Sequence, residues 1–316
     1  FIFKMKIALL DDFHEIIEKT LIDWGCEIID GKDWTISEFK KNSRILDGII
    51  IRSRIPLDET TLKCAKKLKF IARPGAGLEN IDLSYCEKNN IKVFRSPEGN
   101  RDAVAEHTIA MILMLINNIR TSDLQIRNGI WERESNRGNE LKGKTFAIIG
   151  YGYMGKALSK RLSGFDLNVI AYDKYLTNYG SKLAKEVVLS EVFETADFVS
   201  LHTPLSEETI GMVNELFINR FKKPFYLINT ARGQSVVLKD LVSALKNKKI
   251  LGACLDVLEL ESSSFENFDF SADKNFLSLA KMDNVIFTSH IAGWTQESKI
   301  KMASVILQKI ESNFFK

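Results

Sequence analysis

The chain is poor in the features that mark several classes of protein. Only four cysteines occur in 316 residues, Cys26, Cys64, Cys86 and Cys254, and none forms a C-x-x-C pair. That argues against a disulfide framework and gives no zinc-site spacing, so no metal centre is expected. The longest apolar run, Ile109 to Ile116, is eight residues, whereas a membrane span needs about 20. The N-terminal Phe1-Ile2-Phe3-Lys4-Met5 lacks a signal-peptide layout, and Met5 is a candidate natural start. Charge of one sign is lacking too, with a net formal charge of +3. The basic pairs Lys66-Lys67 and Lys248-Lys249 carry no interleaved aromatics and read as solvated surface, not as a nucleic-acid site. There is no internal repeat and no low-complexity tract. These absences point to a soluble protein of a reducing cytoplasm, with neither nucleic acid nor membrane as partner.

What is present is an ordinary globular composition, 45% hydrophobic and 27% charged, in a chain long enough for two domains. Short β-branched runs alternate with helical patterns almost throughout. Candidate strands are Lys6 to Leu10, Gly48 to Ile51, Phe70 to Ala72 and Lys92 to Phe94. A second series is Thr145 to Ile149, Asn168 to Tyr172, Phe198 to Leu201, Phe225 to Asn229, Ile250 to Leu255 and Val285 to Thr288. Such alternation implies an α/β protein with parallel sheets, and runs apolar on both faces imply helices on both sides. Between the two series, Asp102 to Ile119 is too long for a strand and apolar nearly all round. It reads as a buried helix suited to an interface. Glu261 to Asn275, rich in Ser, Phe, Glu and Asp, reads as a surface loop.

Thr145 to Gly155 reads strand, then Gly150-Tyr151-Gly152-Tyr153-Met154-Gly155, then helix. A lone G-x-G-x-x-G is weak evidence, but here a strand precedes, a helix follows, and Asp173 ends the next strand, 21 positions after Gly152. Gly150 permits the tight turn, Gly152 lets the backbone approach a pyrophosphate, and Gly155 allows close helix–strand packing. The helix N-terminus offers N–H groups and positive partial charge to phosphates. Asp173 suits ribose hydroxyls and repels a 2′-phosphate, which favours NAD over NADP. The neighbouring cation Lys174 softens that preference. The bland alternative is a glycine-rich turn that binds nothing.

Taken in order, Arg73-Pro74-Gly75-Ala76-Gly77-Leu78-Glu79-Asn80-Ile81-Asp82, the glycine motif and His202-Thr203-Pro204-Leu205 resemble a known family. Asn229-Thr230-Ala231-Arg232-Gly233, Asp256 with Glu261, and Ser289-His290-Ile291-Ala292-Gly293 continue the match. The family is that of the D-isomer-specific 2-hydroxyacid dehydrogenases, and the likeness is strongest to its short-type phosphoglycerate dehydrogenase branch. It covers nearly the whole chain. The chemistry agrees: oxidising a hydroxy acid needs a base, a cation for the carboxylate and a hydride acceptor. Of four histidines, His14 falls in a surface helix and His107 in the buried one, while His202 and His290 end strands, where ligands sit in open α/β sheets. The family motif selects His290 as the catalytic acid–base. Glu261 is its expected partner, because a carboxylate beside imidazole stabilises imidazolium and orients the ring. Glu259 stands close by as a competitor. Arg232 offers a planar fork for a carboxylate. The resemblance adds Tyr153, Met154, Thr203, Thr230, Ala231, Asp256 and Gly293 to the cofactor contacts, with Asp256 at the nicotinamide end.

At the substrate end, the backbone N–H groups of Gly75-Ala76-Gly77 suit an anion-binding nest. By resemblance this loop holds the substrate carboxylate and Asn80 shapes it. Arg52-Ser53-Arg54 ends another strand. The resemblance assigns Arg52, with Ser53 beside it, and Arg73 to the substrate, both arginines facing a phosphate; all three arginines also fit a plain surface role. The implied architecture is two doubly wound parallel-sheet domains. A Rossmann NAD-binding domain, 98–290, is inserted into a flavodoxin-like substrate domain, 1–97 and 291–316, with the active site in the cleft between them. The helix near residues 102–119 implies a homodimer. With nothing after Lys316, feedback control by serine through an added domain is not expected. The implied reaction is NAD-dependent oxidation of D-3-phosphoglycerate to 3-phosphohydroxypyruvate in serine synthesis. Alternatives are a hydroxypyruvate or glyoxylate reductase and a non-enzymatic NAD-sensing protein like the related corepressors. Formate dehydrogenase is disfavoured, since it usually carries glutamine where Glu261 stands.

Overall fold

The computed structural model describes residues 4–261, 270 and 272–315. Most of the loop expected over Glu261 to Asn275 lies outside the described residues, as do the residues before Lys4. The chain divides into two compact units: one holds the described residues up to Asn100 and from Trp294 on, the other those between Arg101 and Gly293.

The first unit is built on β1 (Lys6–Leu9), β2 (Glu27–Asp30), β3 (Gly48–Ile50), β4 (Phe70–Arg73) and β5 (Lys92–Arg95). They form one parallel sheet in the order β2-β1-β3-β4-β5. Alternate residues serve opposite faces. Ala8, Ile49 and Ile71 pack with Phe39, Leu62 and Cys86, while Ile7, Ile50 and Phe70 pack with Leu21 and with Ile306 and Ile310 of the helix Gln296–Phe314. Burial on both sides explains why β1, β3 and β4 read as apolar runs.

The second unit adds β6 (Thr145–Ile149), β7 (Asn168–Tyr172), β8 (Lys185–Glu186), β9 (Phe198–Leu201), β10 (Phe225–Asn229), β11 (Ile250–Leu255) and β12 (Val285–Phe287). Their order is β12-β11-β10-β9-β6-β7-β8, again all parallel. Each sheet reverses its order once, the first between β1 and β3, the second between β6 and β9. Those reversals are where open α/β sheets leave a crevice for ligands beyond the strand ends. Phe146, Phe198 and Tyr226 occupy matching register positions on β6, β9 and β10. Their rings stack across the three strands, 5.8 Å and 4.9 Å between centroids, and so help fix the register beneath the second reversal.

Four points differ from the sequence expectations. The edge strands β2 and β8 were not apparent from patterning, because an edge needs fewer apolar residues. The helix expected over Asp102 to Ile119 runs instead from Pro97 to Ile116, with proline at its start where no amide partner is needed. Asn118, at a left-handed φ of 50°, separates it from a second helix, Ile119–Arg127. Nor is the long helix buried all round: Glu106, Ala110 and Met114 form an exposed stripe. Finally, His14 lies ahead of the helix Ile16–Asp23, its Nδ1 accepting the Ile16 N–H at 3.3 Å.

Replacing Phe198, which is 2% exposed, with alanine is expected to destabilise the protein by about 3–5 kcal/mol through the cavity left between its two ring neighbours. Thermal or urea unfolding followed by circular dichroism checks this; a loss under about 1 kcal/mol would remove the ladder as a stabilising device.

Candidate active site

The second unit gathers its chemistry at the carboxyl ends of β6, β9, β10 and β11. After β6, Gly150 takes a φ of +94°, and a Cβ there would stand 2.8 Å from the carbonyl of His202, in the loop after β9. A Cβ on Gly155 would stand 2.3 Å from the Gly150 oxygen. The two loops at the sheet reversal therefore touch only because these positions have no side chain. At Gly152 a Cβ would meet nothing within 4 Å. The helix Tyr153–Leu162 starts there without a side-chain cap, so Tyr153 and Met154 open a helix whose first N–H groups are offered outward. Asp173 closes the loop from the β7 side. Its Oδ2 accepts the Tyr151 N–H at 2.8 Å, and Oδ1 accepts those of Tyr175 and Leu176 at 3.0 Å each. Burial works against its charge, but the three N–H donors hold the carboxyl below its ordinary range. Buried His202 Nδ1 and Thr203 Oγ1 have no partner among the described residues. An open helix end, a side-chain-free turn, an anchored carboxylate and two unsatisfied polar atoms fit a dinucleotide.

Around His290 the residues are tied together by backbone. His290 follows β12 with a φ of +57°, unusual for a residue with a side chain and typical of functional sites. Its Nδ1 lies 2.8 Å from Glu261 Oε2. The other Glu261 oxygen accepts the Leu258 N–H at 2.7 Å, so the carboxylate is fixed before the histidine uses it. Glu259 is turned elsewhere, its Oε2 accepting the Leu238 N–H at 2.9 Å at the start of the helix Leu238–Lys246. Gly233 presses against this turn: a Cβ there would lie 1.9 Å from the Leu258 oxygen. That contact brings Arg232, Glu261 and His290 into one neighbourhood. Arg232 Nη1 donates to the Ala231 carbonyl at 2.6 Å, and Asn229 Nδ2 donates to the Arg232 carbonyl at 2.9 Å.

Asp256, expected at a cofactor contact, is 1% exposed and already engaged. It accepts the N–H groups of Ile291 at 2.8 Å and Ala292 at 2.9 Å and the hydroxyl of Thr288 at 2.5 Å. Because the Thr288 proton goes to Asp256, His107 Nε2, 3.0 Å from the same oxygen, is the donor to it. Thr230 pairs its hydroxyl with that of Thr108 at 3.2 Å. Neither His107, Thr108 nor Thr288 was singled out from sequence, since the first two lie inside a long helix and carry no motif.

In the first unit the three arginines separate. Arg54 donates to the carbonyls of Leu10, Gly31 and Trp34. Arg73 is 8% exposed and donates to the carbonyls of Arg52, at 2.7 Å, and Gly77. Arg52 sits where the sheet order reverses, its N–H on Asp11 Oδ2 at 2.6 Å. Its guanidinium lies over Phe13 and Trp294, 5.5 and 4.8 Å from their ring centres, and has no hydrogen-bonded acceptor among the described residues. Ser53 is half-buried next to it. In the glycine loop, the Gly75 N–H is taken by Ser96 Oγ at 3.0 Å, which leaves the N–H groups of Ala76 and Gly77 without acceptors among the described residues. Asn80 braces the loop by donating to the Ile55 carbonyl at 3.4 Å, and its Oδ1 is buried without a partner among the described residues.

Fold and site together define a two-unit protein with a dinucleotide-binding sheet and a histidine–carboxylate pair. Comparison gives the family. Residues 109–292 match the NAD-binding domain of the D-isomer specific 2-hydroxyacid dehydrogenases. A glyoxylate reductase of Thermofilum pendens is 35% identical over 296 residues, covering 90% of this chain and 84% of its own. A D-3-phosphoglycerate dehydrogenase of Archaeoglobus fulgidus is 34% identical over 266 residues, 84% of this chain but 49% of its own. A D-lactate dehydrogenase of Aquifex aeolicus, solved with NAD and lactic acid, superposes with a TM-score of 0.81 at 29% identity, covering 97% and 95% of the two chains. The chain belongs to the D-isomer-specific 2-hydroxyacid dehydrogenase family, and it spans about half the length of the phosphoglycerate dehydrogenases it matches in Archaeoglobus and Bacillus subtilis. Among the described residues, no group of histidines, cysteines and carboxylates suits a metal, and no helix is long and apolar enough to cross a membrane.

His202 carries a pH signature. Burial pushes its imidazole down from 6.5 to about 4, so it is neutral when the protein is folded near pH 7. Unfolding restores the ordinary value, so the unfolded chain binds the proton first as pH falls. Stability is then full above about pH 6.5 and declines toward pH 4, by at most about 3 kcal/mol. Urea midpoints across that window are expected to slope less in His202→Gln than in the parent; equal slopes would mean that this ring does not carry the effect.

Proposed function

We propose that the protein is an NAD-dependent oxidoreductase of the cytoplasm that oxidises D-3-phosphoglycerate to 3-phosphohydroxypyruvate, the entry to serine synthesis. NAD, when bound, would supply the acceptor for the hydride of substrate C2. Gly150, Gly152, Tyr153, Met154, Gly155, Asp173, Thr203, Thr230, Ala231 and Gly293 are the residues proposed to hold it. Asp256 acts one step removed, by shaping the turn at Ile291 and Ala292. His290 takes the proton of the substrate hydroxyl, steadied as imidazolium by Glu261 2.8 Å away. Arg232 and the N–H groups of Ala76 and Gly77 hold the carboxylate. A homodimer is part of the reading, with Ile119, Leu124, Ile126 and Trp131, all exposed beyond the long helix, among the apolar residues it would cover.

The observation that carries the phosphorylated substrate is Arg52: a half-buried guanidinium without a hydrogen-bonded acceptor among the described residues, at a sheet reversal. A dianionic group suits it better than a neutral hydroxyl. A second reading, reduction of glyoxylate or hydroxypyruvate, is favoured by Arg73, whose Nε and Nη1 serve backbone carbonyls. One extra cation discriminates a phosphate less strongly than two.

Replacing His290 with alanine is expected to cut turnover by about 10²–10⁴ with NADH binding retained, measured by nicotinamide absorbance and fluorescence. Persisting turnover would remove His290 from the proton transfer. Arg52→Met separates the two substrate readings. Loss of about 10-fold or more in kcat/KM for 3-phosphoglycerate, with glyoxylate spared, supports the phosphate assignment. Saturable activity on glyoxylate alone in the parent enzyme would overturn it.

A further inference from the structure

The loop beyond Asp173 holds a charge arrangement that the proposed reaction does not use. Lys174 Nζ lies 2.5 Å from Glu208 Oε1, and the Tyr175 hydroxyl donates to Glu208 Oε2 at 2.6 Å. Both oxygens of one carboxylate are thus taken by the segment following β7. Glu208 itself stands in the loop after β9, so the contact joins the loops on either side of β6 and its glycine turn. That loop is held firmly. Thr209 Oγ1 accepts the Ser206 N–H at 2.8 Å and donates to the Pro204 carbonyl at 2.7 Å.

All three side chains are exposed. An exposed ion pair contributes little to folding, so its consequence is sought in what it does to the field around Asp173. Paired with Glu208, Lys174 has its proton held more firmly and Glu208 its charge, each through the other. A free lysine would offset the Asp173 charge and present a cation to a phosphate. A lysine matched to Glu208 leaves the group with one net negative charge beside the ribose position. A 2′-phosphate brings a charge of about −1.5 to −2, and here it would meet repulsion from two carboxylates with the Lys174 ammonium already engaged, which leaves Lys156 as the other cation acting on Asp173.

We propose that Glu208 is a specificity-determining residue for the dinucleotide: by engaging Lys174 it denies the 2′-phosphate of NADP its cation and keeps the site selective for NAD. This rests on the dinucleotide being held by the Gly150–Gly155 loop as proposed above. The sequence pair Asp173-Lys174 leaves the choice open, and Glu208, 34 residues from Lys174, closes it.

Fluorescence titration of the whole protein with NADH and with NADPH tests this without relying on turnover. The parent is expected to bind NADH at least about tenfold more tightly than NADPH. Glu208→Gln, which keeps the shape and removes the charge, is expected to lower the NADPH Kd at least about fivefold, and the gain should shrink as salt is raised. The gain should vanish when Lys174→Met is added to Glu208→Gln. An unchanged NADPH Kd in Glu208→Gln, or a gain that survives loss of Lys174, overturns the proposal. A parent that binds both dinucleotides equally well does so too. A parent that binds neither would instead remove the cofactor assignment on which the proposal stands.

Discussion

The turn that presents His290 depends on one buried carboxylate. The Thr288 N–H makes the last bond to β11, on the Leu255 carbonyl at 3.0 Å; beyond it the backbone to Ala292 leaves the sheet, so its N–H groups need another acceptor. Asp256, at the end of β11, supplies it. Its two oxygens take the Ile291 and Ala292 N–H groups and the Thr288 hydroxyl, while its own carbonyl accepts the His290 N–H at 2.8 Å. Burying a carboxyl group is costly unless it is hydrogen-bonded. Three donors meet that cost and in return lock a five-residue turn. The left-handed backbone at His290 persists because this turn leaves it no alternative. Glu261 completes the arrangement from the other side, since its second oxygen is held by the Leu258 N–H. A hydrogen bond between two fixed partners loses little entropy when it forms, which is how a site keeps a ring oriented between turnovers.

The same dependence explains which parts of the protein were readable in advance. Central strands such as β6 and β10 are covered on both faces, so burial wrote itself into runs like Phe146-Ala147-Ile148-Ile149. At the edges β2 and β8 that pressure is weaker, and Glu27-Ile28-Ile29-Asp30 and Lys185-Glu186 carry no such run. The long helix misled for the opposite reason. Ile109 to Ile116 is apolar in sequence, yet Ala110 and Met114 face outward and only tertiary packing tells which side is core. Its end was also hidden, because Asn118 marks a break by its backbone angle and not by a proline or glycine.

In the site, motifs located the loops but did not divide labour within them. Glu259 and Glu261 are equivalent by composition. What separates them is that one faces the N–H at the start of the helix Leu238–Lys246 and the other faces Leu258 and His290. His202 and His290 both end strands. Burial makes the first a neutral ring poorly suited to accepting a proton, while the second keeps a side chain 30% exposed beside a carboxylate. His107 and Thr288 were invisible because their importance comes from touching the Asp256 network, 149 and 32 positions away in the chain.

Arg52 shows how a cation can be half-buried and still be left available. Its nearest acidic neighbour, Asp11, does not pair with the guanidinium; it accepts the Arg52 backbone N–H instead. Burial raises the Asp11 carboxyl and lowers the Arg52 guanidinium, so each resists ionisation where it stands. The charges of Asp11 and Asp12 support the arginine charge without a hydrogen bond to it, and Phe13 and Trp294 add ring contact. Aromatic faces stabilise a cation without supplying hydrogen-bond acceptors, so the N–H donors around its edge are not used up. Arg54 and Arg73 lie near carbonyl oxygens and are spent on them. The difference between a structural arginine and a binding one is therefore set by neighbours: carbonyls consume its donors, and rings hold it in place with those donors still to be used.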